Sequence, residues 1–408
     1  MSLNAERSYK MKLRDVENAF KYRRIPYPKR SVELIALLAI SCTFFLFMHT
    51  NKLNSRLKEM EVKLQPSEFS ALGLTGNHIS GHDAGGKHDD INTLHGTFQY
   101  LKSTGQLQQL SANRLNNTKH AEIEVLFFNR AAKVGSESML ELFMALEKYN
   151  EDLTLERRGL HTRTVRQMNK NQRRESAEFV ADLEEGTMYI EHINWLDFDE
   201  FDLPKPIYIN LVRDPVERVI SWFFYARSSY KNAIEYRKRP NQKIKPESWY
   251  KKNFNDCVRS GDPECQYVPH TVKDSIANFK RQSLFYCGHH DDCLPFNSPT
   301  AVQMAKEHVE RDYAVVGSWE DTNITLTVLE NYIPRFFRGA KLMYEMHNSK
   351  ITNRNKNKRK PFVEPEVKEM IRRNFTNEYE FYYFCKQRLY KQYLALNLKE
   401  LEVHGLLN

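Results

Sequence analysis

Through Glu122–Tyr149 the chain reads EIEVLFFNRAAKVGSESMLELFMALEKY: a strand, a short turn of basic, glycine and serine residues, then a helix. No other stretch restricts the possible folds as tightly. Ile123–Phe128 is an apolar and β-branched run apart from Glu124, as long as a strand buried on both faces. Met139, Leu142, Phe143 and Leu146 fall at i, i+3, i+4 and i+7, one face of a helix. Ser138 and Glu141 stand in the capping-box relation, which predicts the helix start there. The turn of Lys133, Val134, Gly135, Ser136, Glu137 and Ser138 then aims backbone N–H groups, hydroxyls and one ammonium at a single spot, suited to phosphate or sulfate. The Gly-x4-Gly-Lys-Ser/Thr spacing of nucleoside triphosphatases is absent.

A second element points to the same place. Pro206–Arg213, PIYINLVR, reads as another buried strand and runs into Asp214, Pro215, Val216 and Glu217. Asp as N-cap, Pro at the first helical position and Glu at the third make a strong helix start. Arg213 therefore sits at the C-terminal end of a strand, where open α/β sheets bind ligands, with Ser221 about two turns into the next helix.

Together these residues resemble the sulfotransferases that use PAPS (3′-phosphoadenosine 5′-phosphosulfate). Lys133–Ser138 resembles their 5′-phosphosulfate loop, and Arg213 with Ser221 resembles the pair that holds the 3′-phosphate. The similarity is to the uronyl and heparan sulfate 2-O-sulfotransferases, especially the insect Pipe branch, tied to embryonic patterning. It runs from Glu122 to Tyr393 and includes His192-Ile-Asn-Trp-Leu-Asp-Phe198, Cys287-Gly-His289 and Pro334–Ala340, PRFFRGA. The resemblance implies a three-layer, P-loop-like α/β fold around a parallel sheet. It also implies PAPS as co-substrate, no metal, an anionic glycan acceptor and a homo-oligomer, a trimer in related enzymes.

The compartment follows from the N-terminus. Val32–Met48 is apolar except for Glu33, Ser41, Cys42 and Thr43, and Lys21, Arg23, Arg24, Lys29 and Arg30 precede it. That predicts a short membrane helix of the kind suited to thin early-secretory membranes. The basic region is too long for a cleaved signal peptide. Positive-inside orientation makes residues 1–31 a cytosolic tail, 32–50 a signal-anchor, 51–118 a lumenal stem and linker, and 119–408 the catalytic domain. This is the type II layout of a Golgi glycan-modifying enzyme. Within the stem, Leu53, Leu57, Met60 and Leu64 allow a weak coil, and the chain from Pro66 to Thr118 is Gly-, His-, Asn- and Ser-rich.

On the lumenal side Asn116, Asn323 and Asn374 lie in N-glycosylation sequons. Cys257, Cys265, Cys287 and Cys293 form two close pairs; the Cys287–Cys293 cluster, with its histidines, also has the makings of a zinc site. An oxidising lumen favours disulfides, and the resemblance implies the pairing Cys257–Cys265 and Cys287–Cys293.

The chemistry needs a base, because a protonated alcohol is a poor nucleophile. His192 ends a predicted strand, Thr187–Glu191, and its surroundings resemble those of the family's catalytic histidine. Some relatives carry a second histidine two positions earlier; here it is Ile190. Lys133 is placed to offset charge on the leaving group. Glu137, a small hydroxyl residue in heparan-type relatives, is expected to turn its carboxylate away from the phosphates. Arg130 resembles a substrate-contacting arginine, and Tyr344 and Ser349 resemble residues that close over the nucleotide.

The formal charge of +9 is modest and does not by itself imply nucleic acid, and no nucleic-acid motif appears; in a glycan sulfotransferase, as the resemblance implies, the basic clusters are natural contacts for a polyanionic glycan. From Arg227 to Lys252 nine basic residues face only Glu235 and Glu247, and Arg237, Lys238 and Arg239 form the expected substrate-reading patch. Lys350–Lys360 is a second basic run. The resemblance thus implies transfer of a sulfuryl group to the 2-OH of a uronic acid in a glycosaminoglycan-like glycan. A non-catalytic lumenal glycan-binding protein with the same fold is the alternative, opposed by the presence of His192, Lys133 and Arg213. A lumenal kinase lacks its lysine spacing and Mg2+ motif.

Overall fold

In the computed structural model, the described residues are 92–157, 167–238, 241, 243–272, 281–347 and 360–397, with Met48 alone before them. The chain divides into Met1–Ile79 and Ser80–Asn408, and every element below belongs to the second unit. Its sheet is wholly parallel, in the order β2-β3-β1-β4-β5: β1 Leu126–Asn129, β2 Thr154–Glu156, β3 Thr187–Glu191, β4 Ile207–Val212 and β5 Tyr313–Ser318. Successive strand residues face opposite sides. Every residue of β1, β4 and β5 is buried, so helices and loops must cover both faces of the sheet.

Parallel strands need crossovers, and helices supply most of them. The longer helices, in chain order, are α1 Leu94–Ser103, α2 Ser136–Tyr149, α3 Lys170–Ala181, α4 Pro215–Ala226, α5 Ser229–Lys238, α6 Pro299–Arg311, α7 Thr322–Tyr332, α8 Ala340–Met346, α9 Pro365–Arg372 and α10 Thr376–Leu396; α2 to α6 lie between strands, α1 precedes β1 and α7 to α10 follow β5. The connection leaving β1 runs to one side of the sheet, toward β2; the one leaving β4 runs to the other, toward β5. The C-terminal ends of these two neighbours therefore open a crevice, the usual ligand position in such sheets.

Two local expectations change. The helix after β1 begins at Ser136 with Gly135 as N-cap, not at a Ser138–Glu141 capping box; the Ser138 N–H instead bonds the Gly135 carbonyl at 2.9 Å. The linker expected through residue 118 is folded in its last part. Tyr100, Leu101 and Leu107 are buried; Gln387 of α10 donates to Asn92 at 2.7 Å, and Gln392 to the Leu115 carbonyl at 3.0 Å. A few apolar anchors suffice there because α10 offers a ready surface, so the polar composition misled.

Val32–Met48, expected as the anchor, lies outside the described residues apart from Met48, as does the Leu53–Leu64 coil. Among the described residues no helix is long and apolar enough to cross a membrane. Cys257–Cys265 and Cys287–Cys293 are disulfides, with Cα separations of 5.8 and 5.7 Å, so none of the four sulfurs is a thiolate open to zinc. Asn323 and Asn374 are exposed, whereas the Asn116 amide donates to the Tyr332 carbonyl at 3.3 Å.

Candidate active site

Because all five strands run the same way, their C-terminal ends bring Lys133, His192 and Arg213 to one edge. The turn after β1 is shaped by two residues with left-handed backbone, Lys133 at φ 66° and Gly135 at φ 93°. Glycine is required at the second for an added reason. A Cβ there would lie 2.0 Å from the ring of Trp319, which follows β5 and bonds back to the Val212 carbonyl at 2.9 Å. The turn's carbonyls are drawn toward α4. Arg218 Nε donates to the Ala132 carbonyl at 2.8 Å, and Arg213 Nη1 to the Lys133 carbonyl at 3.2 Å. Two negative peptide ends are thus neutralised by guanidinium groups, which leaves an electropositive turn.

Arg213 and Arg218 are themselves held firmly. Asp214 caps α4 by accepting from the Glu217 N–H at 2.8 Å, with Pro215 at the first turn, as the sequence predicts. The Arg213 N–H donates to Gln282 Oε1 at 2.9 Å; Glu378, wholly buried on α10, accepts from the Gln282 and Ser283 N–H groups at 2.8 and 3.2 Å. The buried Arg218 guanidinium opposes the rise that burial imposes on the Glu378 carboxyl. This Gln282–Glu378–Arg218 support was missed at the sequence level, since its members are far apart in the chain and none belongs to a recognisable motif. Arg213 Nε is buried without a protein partner, a donor suited to an anion beside the turn. Ser221 is buried one turn beyond Arg218 on α4.

His192 follows β3. Its Nδ1 lies 2.9 Å from the Arg130 carbonyl. A carbonyl only accepts, so Nδ1 carries the proton and Nε2 keeps a lone pair. Burial, then the Arg130 and Arg218 guanidinium groups, push its pKa down to about 3, so the imidazole is neutral at any ordinary pH. Lys133 is likewise lowered, to about 7, by burial and by the neighbouring cations Lys231 and Arg213. Its Nζ rests 4.0 Å from the centre of the Tyr225 ring.

The Glu137 carboxylate pairs with Arg130 at 3.1 Å, and it also stabilises the Lys133 and Lys231 cations. Tyr344 on α8 is half-buried and hydrogen-bonds Thr322, which donates to the carbonyl of Trp319, the residue packed on Gly135. Ser349 and Arg239 lie outside the described residues. Arg237 and Lys238 are exposed in the last turn of α5. Two members of the Arg227–Lys252 run prove structural: Arg227 pairs with Glu264, and Lys252 with Asp262 and Glu264, each at 2.7 Å. The disulfide loop Cys257–Cys265 carries those acids, which sequence order had hidden. Of the Lys350–Lys360 run only Lys360 is described, and it bonds Glu217 at 2.8 Å, one turn from Arg213.

An electropositive turn, an orphan arginine donor and a neutral imidazole on one sheet edge suit the binding of an anionic group beside a base. Residues 116–384 match the sulfotransferase family. The chain belongs to that family. It is 48% identical to a Drosophila melanogaster protein named uronyl 2-sulfotransferase homolog pip, over 97% of this chain and 95% of that one. It is 27% identical to human uronyl 2-sulfotransferase over 64% of this chain and 62% of that one. With human heparan sulfate 2-O-sulfotransferase 1 the identity is 28%, over 65% of this chain and 70% of that one. As a sulfotransferase it is an enzyme, and the parallel sheet fits the fold of its family. Among the described residues no cluster of His, Cys, Asp or Glu is placed to hold a metal ion.

Proposed function

We propose that this sulfotransferase moves the sulfuryl group of PAPS to the 2-OH of a uronic acid in a glycosaminoglycan-like glycan of secreted glycoproteins. The observation that carries the reading is His192: its Nδ1 proton is committed to the Arg130 carbonyl, so Nε2 is a base on the edge that bears the Lys133 turn. In the reaction the acceptor oxygen forms a bond to sulfur as its proton passes to Nε2. The sulfur–oxygen bond to the phosphate breaks, and its electron pair leaves with adenosine 3′,5′-bisphosphate. Lys133 and the turn's amides offset that charge. Arg213 and Ser221 hold the 3′-phosphate, Tyr344 and Ser349 close over the nucleotide, and Arg130, Arg237, Lys238 and Arg239 face the acceptor. The setting is the Golgi lumen, with the chain anchored through residues 32–50 as a type II protein and assembled as a homo-oligomer; Asn323 and Asn374 carry glycans.

The uronyl and heparan sulfate 2-O-sulfotransferase names of its relatives support the acceptor class. The test is radiolabelled PAPS offered with a panel of desulfated glycans, followed by disaccharide analysis. Label on the uronate 2-position is expected. Donor binding without label in any uronate-containing glycan would remove the assignment.

A further inference from the structure

Glu378 is a wholly buried carboxylate, and a charge taken out of water is costly unless its surroundings replace what water gave. Its hydrogen-bond partners are all donors. The Gln282 and Ser283 N–H groups reach it at 2.8 and 3.2 Å, and the Ser283 hydroxyl donates as well. It stands third in α10, at the end of a helix that favours negative charge. Asn297 Oδ1 holds that end by accepting from the Asn377 and Glu378 N–H groups at 2.8 and 3.1 Å. The N–H and O–H donors ask only for an acceptor, which a neutral amide also offers. The negative charge itself answers to Arg218, which is 1% exposed. Burial lowers that guanidinium to about 10, and Glu378 is foremost among the groups that oppose the fall.

Two routes lead from this carboxylate to neighbouring peptides. In one, Arg218 Nε donates to the Ala132 carbonyl at 2.8 Å. In the other, Gln282 Oε1 accepts the Arg213 N–H at 2.9 Å, and Arg213 Nη1 reaches the Lys133 carbonyl at 3.2 Å. We propose that Glu378 is the positioning residue of the nucleotide site: its charge sets, through Arg218 and through Gln282 and Arg213, the peptide groups that open the Lys133–Ser138 turn. Being wholly buried, it acts through those groups and not on the nucleotide itself.

This inference rests on the reading of the turn and Arg213 as the donor site, and its test keeps the two apart. Glu378→Gln preserves the side chain's size and one acceptor oxygen but removes the charge; the Ser283 hydroxyl can turn to accept from the new amide. Calorimetry with adenosine 3′,5′-bisphosphate should show affinity lowered about 10-fold at unchanged stoichiometry, the loss of one charge-assisted contact. The KM for PAPS should rise in step, and the KM for the acceptor should hold within about two-fold. A merely structural residue would lower the fraction of protein that binds and leave the affinity of the rest alone. Tyr390→Phe, which deletes a bond of 2.9 Å from the same helix to Asp321, is the control for that pattern. Should Glu378→Gln not fold, Ser283→Ala removes one donor to the carboxylate and should weaken the bisphosphate about three-fold. Unchanged affinity in the variant that folds, or an equal loss of affinity in Tyr390→Phe, would overturn the proposal. A wild type that binds no bisphosphate would overturn the donor reading and the proposal together. One that binds it yet sulfates no uronate fails the acceptor reading alone, and the measured affinities still decide the role of Glu378.

Discussion

At the scale of single residues, His192 illustrates how a side chain is made a base by what it cannot do. Its Nδ1 proton faces a carbonyl, and two guanidinium groups oppose a positive imidazole. The pKa is lowered, so the group favours the folded state fully above the unfolded histidine value near 6.5. That contribution is lost as pH falls from there toward about 3, because the unfolded chain takes up the proton first. Urea midpoints should thus decline less between pH 7 and pH 5 in His192→Phe than in wild type; an equal decline would contradict a depressed pKa. In kinetics, His192→Ala should cost turnover at least about 100-fold while leaving nucleotide binding nearly intact. Arg213 is different. Arg213→Ala should weaken adenosine 3′,5′-bisphosphate binding by about 1.5–3 kcal/mol, the value of a charge-assisted contact, read by calorimetry. It should also slow turnover, because Arg213 Nη1 holds the Lys133 carbonyl. Lys133→Ala should spare affinity more than rate.

At the scale of elements, the turn between β1 and α2 depends on its neighbours as much as on its own sequence. Gly135→Ala meets both a left-handed φ and the Trp319 ring, so it should destabilise the fold by about 1–3 kcal/mol and weaken nucleotide binding together. Adding Trp319→Leu should recover part of the stability, since it removes the overlap and leaves the backbone strain. No recovery would place the whole cost in the backbone. This dependence also marks the limit of sequence reading. The strand at Thr187–Glu191 was legible to the residue, as was the α4 cap at Asp214, because alternation, apolar length and cap chemistry are local signals. The helix start after Gly135 was not: Ser138 and Glu141 carry the right spacing, but the chain closes around Trp319, 184 residues away in sequence from Gly135. The same reason hid the Gln282–Glu378–Arg218 support, the acids that pair with Arg227 and Lys252, and the α1 packing on α10. Lys133, Arg213 and His192 come together on one edge because each borders a strand, and strand ends are what a parallel sheet gathers.

At the scale of the whole molecule, charge must be sorted by location before it says anything about the acceptor. The chain carries a net +9, yet many of its cations are already committed: Arg218 to the turn, Arg227 and Lys252 to the Cys257–Cys265 loop, and Lys360 and Lys368 to Glu217. Among the described residues Arg237 and Lys238, in the last turn of α5, stay exposed, with Arg239 next in sequence. If those three read glycan anions, replacing all with Ala should raise the KM for the acceptor and leave the KM for PAPS unchanged. Binding by the native enzyme should also weaken steeply with salt, because exposed pairs are screened over about 8–10 Å at physiological ionic strength. The triple variant has fewer charges to screen, so its affinity should fall along a shallower line. Filter binding of the acceptor across a salt series measures both slopes. Parallel lines with equal acceptor use would show the α5 end to be a solvated helix terminus, and would shift acceptor reading to Arg130 and the Lys350–Lys360 run. Arg130 would then have to divide its guanidinium between the glycan and Glu137, and Glu137→Gln should tighten acceptor binding by freeing it.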